Sequence, residues 1–345
     1  MSDVLVYSQG RRLAIGAPAT GVHWIGDQAL FTLGDGAVLV SDRRLPAGQK
    51  DAGWKPAVRI EAHDGAILSA ALHPDGKRLV TGGDDGKLNA ITQDGSVEPI
   101  ADFRGKWVDN IATNATSGVI VAGVGKNAIV FKNGAELHRF AHASTIGGLA
   151  LDAKGRRLAV SHYGGVTLRY VLMADDKGVA LAWAGSHLNV TLSPDADYVV
   201  SAMQESELHG WRMPEKLDLR MSGYAAKSRF LSWDKRGRWL ATSGADCAVV
   251  WPFVGKLGPQ GKTPLLLGRR EALVTAVAFH PTEEIVAIGY SDGAAHAVRL
   301  ADQIDIPLDE PGEGPVSALA WSADGLWLAI GDEAGRGGLV DLTAR

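Results

Sequence analysis

Residues 66–92 read AILSAALHPDGKRLVTGGDDGKLNAIT and contain three short apolar runs separated by two turn signals. The runs are residues 67–72, 79–83 and 88–91. Asp75-Gly76 lies in the first turn and Asp85-Gly86 in the second. Such dipeptides favour tight hairpins, because glycine tolerates the positive φ that hairpin turns require. The stretch therefore predicts three antiparallel strands joined by short turns.

The same pattern of runs and turns recurs along the chain, with equivalent turns about 40 residues apart. Each copy supplies three strands, here named a, b and c, and a shorter fourth run, d, usually follows. The eight copies have their cores at 21–42, 66–92, 107–131, 146–170, 187–211, 228–251, 274–298 and 316–342. Repeats of this length are typical of the four-stranded blades of a propeller. The sequence thus predicts a single all-β domain, a β-propeller, over residues 1–345.

Composition and charge narrow the class of protein. Apolar residues make up 46% of the 345 residues and charged residues 21%, which suits a chain with a buried core. The net charge of −4 gives no bulk attraction to nucleic acid or to an anionic membrane surface. Cys247 is the only cysteine, so a disulfide framework is excluded and a reducing, cytoplasmic location is expected. Neither a secretory signal nor a membrane-spanning helix is expected, since no long apolar run is present.

Four stretches carry a resemblance to a known family. They are HPDGKRLVTGGDDGK (73–87), LSPDADYVVSA (192–202), FHPTEEIVAIGYSDG (279–293) and SADGLWLAIGDE (322–333). These stretches resemble the a–b turn, strand b and b–c turn of the WD40 repeat family, and the resemblance extends over nearly the whole chain. It implies a propeller of WD40-like blades.

The second copy keeps most of the family's polar pattern. Ala62-His63 stands where the family has Gly-His, and the resemblance implies a side-chain network of His63, Thr81 and Asp85. The family's Trp-Asp pair is degenerate in this chain, because Trp211 and Trp251 are followed by arginine and proline. Most blades are therefore expected to be held mainly by apolar packing.

Eight blades are preferred over seven, which would require the first copy to be an insertion or a plug. The eighth copy ends at the C-terminus with no room for a strand d. Because an unpaired edge is a liability, the N-terminal segment is expected to fill it, using Val4–Tyr7 or Leu13–Ile15. The connection at residues 42–55 is longer than usual and is expected to be an exposed loop.

Two local motifs suggest chemistry, and both have a simpler interpretation. Residues 123–128, GVGKNA, match a dinucleotide fingerprint, but a strand-like run follows where the motif needs a helix, so a hairpin turn is favoured. His138 and His142 are four residues apart, but they lie on a predicted strand and the loop after it, with no third ligand nearby in sequence. No metal ligand, catalytic residue or cofactor is therefore assigned.

The rim at which each strand a begins is the expected binding surface. The residue after the first buried position of strand a is expected at the mouth of the central channel. Through the copies this residue is Thr20, Leu68, Asp109, Gly147, Leu188, Arg229, Thr275 and Ser317. Exposed aromatic and arginine side chains favour protein contacts. The candidate partner-binding residues are Trp107, Asp109, Arg229, His63, His187, Lys227, Arg270, Glu271, Tyr163, Gln204 and Tyr290.

The expected function is that of a non-catalytic scaffold that binds a protein or peptide on one propeller rim. The resemblance implies this class of function, and the partner itself is not specified. The alternative is a small-ligand or metal-binding protein, or an enzyme, that uses the channel mouth. The oligomeric state is left open.

Overall fold

The structure, a computed structural model, describes residues 4–44 and 58–343. Within these residues the chain forms one short helix, α1 (Leu5–Ser8), and thirty β-strands, the first of which is β1 (Gly10–Ala14). This confirms the prediction of a single all-β propeller. Most of the connection at 42–55 lies outside the described residues. No helix in the described part of the chain is long or apolar enough to cross a lipid bilayer.

The first three copies each form a separate four-stranded antiparallel sheet. Copy one comprises β2 (Ala19–Ile25), β3 (Gln28–Leu33), β4 (Ala37–Asp42) and β5 (Val58–Glu61). Copy two comprises β6 (Ile67–Leu72), β7 (Arg78–Gly83), β8 (Lys87–Thr92) and β9 (Val97–Asp102). Copy three comprises β10 (Asn110–Asn114), β11 (Val119–Val124), β12 (Asn127–Lys132) and β13 (Ala135–Ala141). The fingerprint-like residues 123–128 lie at the β11–β12 hairpin, as the simpler interpretation predicted.

Copies four and five together form one six-stranded sheet. Its strands are β14 (Ile146–Leu151), β15 (Arg157–Tyr170), β16 (Val179–Leu192), β17 (Tyr198–Met203), β18 (Leu208–Arg212) and β19 (Leu217–Met221). The preferred count of eight blades is therefore wrong, and the described chain has seven sheets. The first copy is not the reason, because it forms a complete sheet of its own.

The shared strand β16 explains the count of seven. Its residues 179–186 pair with β15 as strand d of copy four, and its residues 187–192 pair with β17 as strand a of copy five. Gly185 has a φ of +124° between these two halves, which glycine adopts without strain. Because β16 serves both copies, and β15 likewise spans strands b and c of copy four, the eight strand positions of the two copies form one sheet of six strands.

Copies six to eight are four-stranded again. Copy six comprises β20 (Leu231–Trp233), β21 (Trp239–Thr242), β22 (Ala248–Pro252) and β23 (Leu265–Leu267). Copy seven comprises β24 (Val274–Phe279), β25 (Ile285–Tyr290), β26 (Ala295–Arg299) and β27 (Asp305–Asp309). Copy eight comprises β28 (Val316–Trp321), β29 (Trp327–Asp332) and β30 (Arg336–Asp341).

The fourth strand of the last sheet comes from the N-terminus. β1 pairs antiparallel with β30, from Gly10 opposite Val340 to Ala14 opposite Arg336. Of the two segments considered from sequence, Val4–Tyr7 largely coincides with helix α1, and Leu13–Ile15 overlaps the end of β1. The Ser317 hydroxyl donates to the Ala19 carbonyl at 2.7 Å, which joins copy eight to copy one.

The core of the protein lies between successive sheets. Val80 and Leu88 of copy two, for example, form one buried cluster with Val108, Ile120 and Ile129 of copy three. The fit is close at Gly82, where an added Cβ would lie 2.6 Å from Val108. Each sheet is thus stabilised by its neighbours, as in other repeat folds, and the two rims carry the turns.

Candidate functional site

Two rims of different composition follow from the antiparallel strand order. Strand a begins at the same end of each sheet as the b–c turn, and we call this end the strand-a rim. The a–b turns and the c–d connections lie at the other end, which we call the far rim. All of the sequence-predicted partner-binding residues belong to the strand-a rim.

The predicted channel-mouth position coincides with a β-bulge in six copies. The register between strands a and b shifts at Thr20, Leu68, Gly147, Leu188, Thr275 and Ser317. A bulge leaves its extra residue unpaired and re-aims the side chain. In copies three and six the strand begins later, so Asp109 and Arg229 precede β10 and β20. The two charged members of the set therefore lie on irregular backbone at this rim.

The structure divides the predicted partner-binding residues into three groups. Three are buried, namely His63, His187 and Tyr290, and two are partly buried, namely Asp109 and Arg270. Six are exposed, namely Trp107, Tyr163, Gln204, Lys227, Arg229 and Glu271. Trp107 is 63% exposed and Tyr163 is 71% exposed, which is unusual for side chains of this size. These two aromatic residues are the most prominent apolar features of the strand-a rim.

His63 has a structural role, and the predicted network is confirmed. Its ring nitrogens hydrogen-bond Asp85 Oδ1 and Thr81 Oγ1, each at 2.9 Å. Burial of Asp85 opposes its ionisation, but the backbone N–H of Lys87 and the His63 ring outweigh that effect and lower the Asp85 pKa. The network joins the loop before strand a to the b–c turn of copy two. Because both ring nitrogens are engaged below the surface, the expectation that His63 meets a partner is corrected.

His187 and Tyr290 are corrected for the same reason. His187 Nδ1 is 2.7 Å from Ser201 Oγ, its Nε2 is 3.0 Å from the Trp183 carbonyl, and burial lowers its pKa. The Tyr290 hydroxyl donates to the Gly268 carbonyl at 2.5 Å, and burial raises its pKa. Polar tips that are buried and hydrogen-bonded in this way stabilise the blade and are not offered to a ligand.

Arg270 is also tied into its own blade. Its guanidinium lies 5.1 Å from the centre of the Tyr290 ring, and its Nη2 donates to Asp292 Oδ2 at 3.2 Å. Its Nη1 is 2.9 Å from His296 Nε2. Three partners within one copy leave this cation little freedom to reach a partner.

Sequence reasoning missed a further network, in copy six. The Tyr224 hydroxyl is 2.7 Å from Thr242 Oγ1, and Trp251 Nε1 donates to the same hydroxyl at 2.7 Å. Tyr224 precedes Thr242 by 18 residues, which is the separation of His63 and Thr81 in copy two. The 18-residue separation could have revealed this network in the sequence. It was not recognised because copy six has tyrosine where copy two has histidine.

The charged residues on this rim differ in how many ion pairs and hydrogen bonds they form. Lys106, Lys227 and Arg229 form no ion pair within residues 4–44 and 58–343. Asp109 is partly buried and accepts a hydrogen bond from Asn110 Nδ2 at 3.0 Å, and burial raises its pKa. Leu188 and Leu273, which were not among the predicted binding residues, are further exposed apolar side chains at this rim. The strand-a rim thus combines exposed aromatic and apolar groups with unpaired cations.

A cleft of about 500 Å³ lies elsewhere, on the far rim between copies two and three. Its floor includes Ile120 and Phe131, and Arg78 at its wall bonds Asp75 and Glu98. Burial would raise the Asp75 pKa, but hydrogen bonds from the Lys77 N–H, Arg78 and His73 lower it to about 2. This cleft is distinct from the channel mouth, where a small-ligand site was considered.

The lowered pKa makes Asp75 a source of pH-dependent stability. A depressed carboxyl pKa stabilises the fold above the unfolded value near 3.8, and the contribution is lost as the pH falls toward 2. Since the side chain is about one-third exposed, we expect Asp75→Asn to cost about 1 kcal/mol at pH 7. Urea unfolding at pH 7 and pH 2.5 checks this. The difference in free energy of unfolding between wild type and variant should be smaller at pH 2.5 than at pH 7. An unchanged difference would contradict the assignment.

The described part of the chain was also compared with the requirements of a metal site. No group of three or more histidine, cysteine, aspartate or glutamate side chains in those residues could hold a metal ion. His138 Nε2 instead hydrogen-bonds the Val171 carbonyl at 2.9 Å.

Comparisons with known proteins agree with the propeller fold. The family model described as "WD domain, G-beta repeat" matches residues 54–89. The intraflagellar transport protein 80 homologs of Rattus norvegicus and Mus musculus are each 23% identical over 154 residues, which is 44% of this chain. The match spans 17% of the length of those curated relatives.

A solved structure is similar over almost the whole chain. The computationally designed Ika8 protein superposes with a TM-score of 0.75 at 16% identity, and the match covers 94% of this chain and 96% of that chain. At this identity the likeness concerns the fold alone.

Proposed function

We propose that this propeller is of the WD40 repeat type and that it is a non-catalytic scaffold that binds a protein or peptide on the strand-a rim. Propellers of this family are typically used for protein–protein interaction. The observation that carries the proposal is the exposure of Trp107 and Tyr163 on that rim. Trp, Tyr and Arg are the residues that dominate the energetics of protein interfaces.

The charges of the rim support the same proposal. The guanidinium of Arg229 is exposed, while the backbone of Arg229 is held by Ser243 Oγ on one side and by Asn189 on the other. Because this backbone is already ordered, a partner needs to restrict only the rotamers of the Arg229 side chain. Asp109 lies partly buried at the equivalent position of copy three. With the exposed Glu271, the rim therefore offers both acids and bases beside its aromatic anchors.

The binding surface is tested by a double substitution, Trp107→Ala with Arg229→Glu. We expect capture of partners from the native host to fall at least about tenfold, because an anchor is removed and a charge is reversed. Leu257→Ala with Lys235→Glu is the matched control, since it removes an exposed apolar group and reverses an exposed base on the far rim. Quantitative mass spectrometry of co-purified proteins provides the readout. Capture that is equal for the wild type and the folded double variant would refute the site.

The cytoplasm is the proposed location, supported by the absence of a possible disulfide in a chain whose single cysteine is Cys247. Fractionation of the native host, followed by detection of the full chain, tests this location directly.

A further inference from the structure

The outermost strand of each propeller unit has one edge without a hydrogen-bonded neighbour, and most of these edges are protected. Charged side chains, proline and short length are the usual protections against pairing with another chain. β23 has only three residues. The protecting residues in the other strands are Arg11 and Arg12 in β1, Arg59 and Glu61 in β5, Pro99 in β9, Glu136 and Arg139 in β13, Asp218 and Arg220 in β19, and Pro307 in β27.

The outer half of β16 lacks such protection. Its residues 179–185 read VALAWAG, with no charge and no proline. They pair with β15 on one side, and no ladder pairs them on the other side in the described chain. Ala180, Ala182 and Ala184 are exposed, and so is Val179. An uncharged, regular and open edge is a template for another strand.

One side chain lies over this edge. Lys216 Nζ is 3.5 Å from the Ala180 carbonyl, which is at the limit of a hydrogen bond. The contact shows that the polar groups of Ala180 point away from β15. Since alternate residues of a strand point the same way, Ala182 presents its N–H and C=O to the same side. A contact this long is displaced easily by a pairing strand.

We propose that this edge pairs antiparallel with the same edge of a second copy of the chain, about a two-fold axis at Leu181. That register places Val179 opposite Trp183 of the second copy, and Ala180 opposite Ala182. Leu181 then lies opposite itself. Apolar side chains meet apolar side chains at every position, which is the self-complementarity that a two-fold interface requires.

Charge supports a second copy as the occupant in preference to an unrelated peptide. The same register places Lys177 opposite Gly185, because both are four residues from Leu181. The Glu205 carboxylate lies beside Gly185, where an added Cβ would be 3.1 Å from Glu205 Oε2. Lys177 and Glu205 are both exposed, and neither forms an ion pair within the described residues. Two-fold pairing therefore supplies two Lys177–Glu205 ion pairs without any adjustment of the register.

Asp176, the acid next to Lys177 in the sequence, is already engaged in hydrogen bonds. The Asp176 carboxylate already accepts the N–H groups of Tyr170 and Gly178, at 3.2 and 3.0 Å. Beside the edge, Tyr170 at the end of β15 is exposed, and so are Leu172 and Met173 on the connection that leads into β16. They extend the apolar surface at each end of the paired strands, and an apolar patch of this kind is typical of an interaction site.

Sedimentation equilibrium of the full chain tests the proposal, and it uses a surface separate from the strand-a rim. We expect a wild-type dimer at micromolar concentration and a dissociation constant at least about 100-fold higher for Ala182→Lys, because two new cations face each other near the axis. Ala135→Lys is the matched control, an exposed alanine in the outermost strand of copy three. It should leave the dissociation constant unchanged.

Charge reversal tests the register. Lys177→Glu and Glu205→Lys should each raise the dissociation constant about tenfold, and the two together should restore it to within about threefold of wild type. Both residues are exposed, so circular dichroism should show folded variants. A wild-type monomer at 100 µM, an Ala182→Lys dimer as tight as the control, or a double reversal no tighter than the single ones would each overturn the proposal. Capture of an extended peptide by a monomeric wild type would also overturn it.

Discussion

Trp211→Ala is expected to lower the free energy of unfolding by about 4 kcal/mol, the largest effect anticipated for a single side chain in this protein. Trp211 is 2% exposed and lies in the six-stranded sheet. It shares a buried cluster with Leu181 from strand β16 and with Val190 farther along the same strand. Because β16 belongs to two copies, the cavity left by alanine opens where copies four and five are joined.

Urea unfolding followed by circular dichroism measures this loss, and Trp107→Ala provides the control. Both substitutions remove an indole, but Trp107 is 63% exposed, so its removal should change the free energy of unfolding by less than about 0.5 kcal/mol. Because both variants lose the same kind of side chain, the difference between their losses in free energy of unfolding reports the effect of burial. Equal losses for the two variants would contradict the packing described for Trp211.

His63→Ala is expected to cost about 3 kcal/mol, because it leaves Thr81 Oγ1 without its ring partner and Asp85 with backbone donors only. Thr81 is fully buried, and the Asp85 side chain is 9% exposed. When one partner of a buried polar pair is removed, the other stays buried without that hydrogen bond. Its desolvation cost then lowers the stability of the folded state. The loss should be greater than that of an ordinary histidine substitution at the surface.

A double-mutant cycle separates the network from the packing of the ring. His63→Ala, Asp85→Ala and the double variant should show a coupling of about 1–2 kcal/mol, since the two residues are in direct contact. Thermal and urea unfolding of the four proteins give the coupling. Simple additivity of the two losses would mean that the 2.9 Å contact contributes nothing specific.

Local sequence was a good guide wherever a feature depended on neighbours within one copy. The turn at Asp75-Gly76 separates β6 from β7, and the run at 88–91 lies within β8, as the spacing predicted. The resemblance to the WD40 repeat implied the grouping of His63, Thr81 and Asp85, and the contacts form because the three residues lie within one copy. The position expected at the channel mouth recurs through the copies, and in six of them the structure shows a β-bulge there.

Exposure on the rim could not be predicted in the same way. Trp107 and Tyr290 are both aromatic residues near the same rim, yet one is exposed and the other is fully buried. Tyr290 is covered because Gly268, from the preceding copy, accepts its hydroxyl hydrogen bond. His187 is covered by Trp183 and Ser201. Gly268 comes from another copy and Ser201 from another strand, so the burial of a side chain depends on packing that no local pattern contains.

By itself the sequence determined that the chain is a β-propeller, because turn residues and apolar alternation act over a few residues and recur. Only the tertiary structure decided that copies four and five share one sheet. Whether residues 183–187 bend into a loop or continue as strand β16 depends on what pairs on either side. Hydrogen bonding and burial between distant segments make that choice, and they also decide which side chains of the rim remain free for a partner.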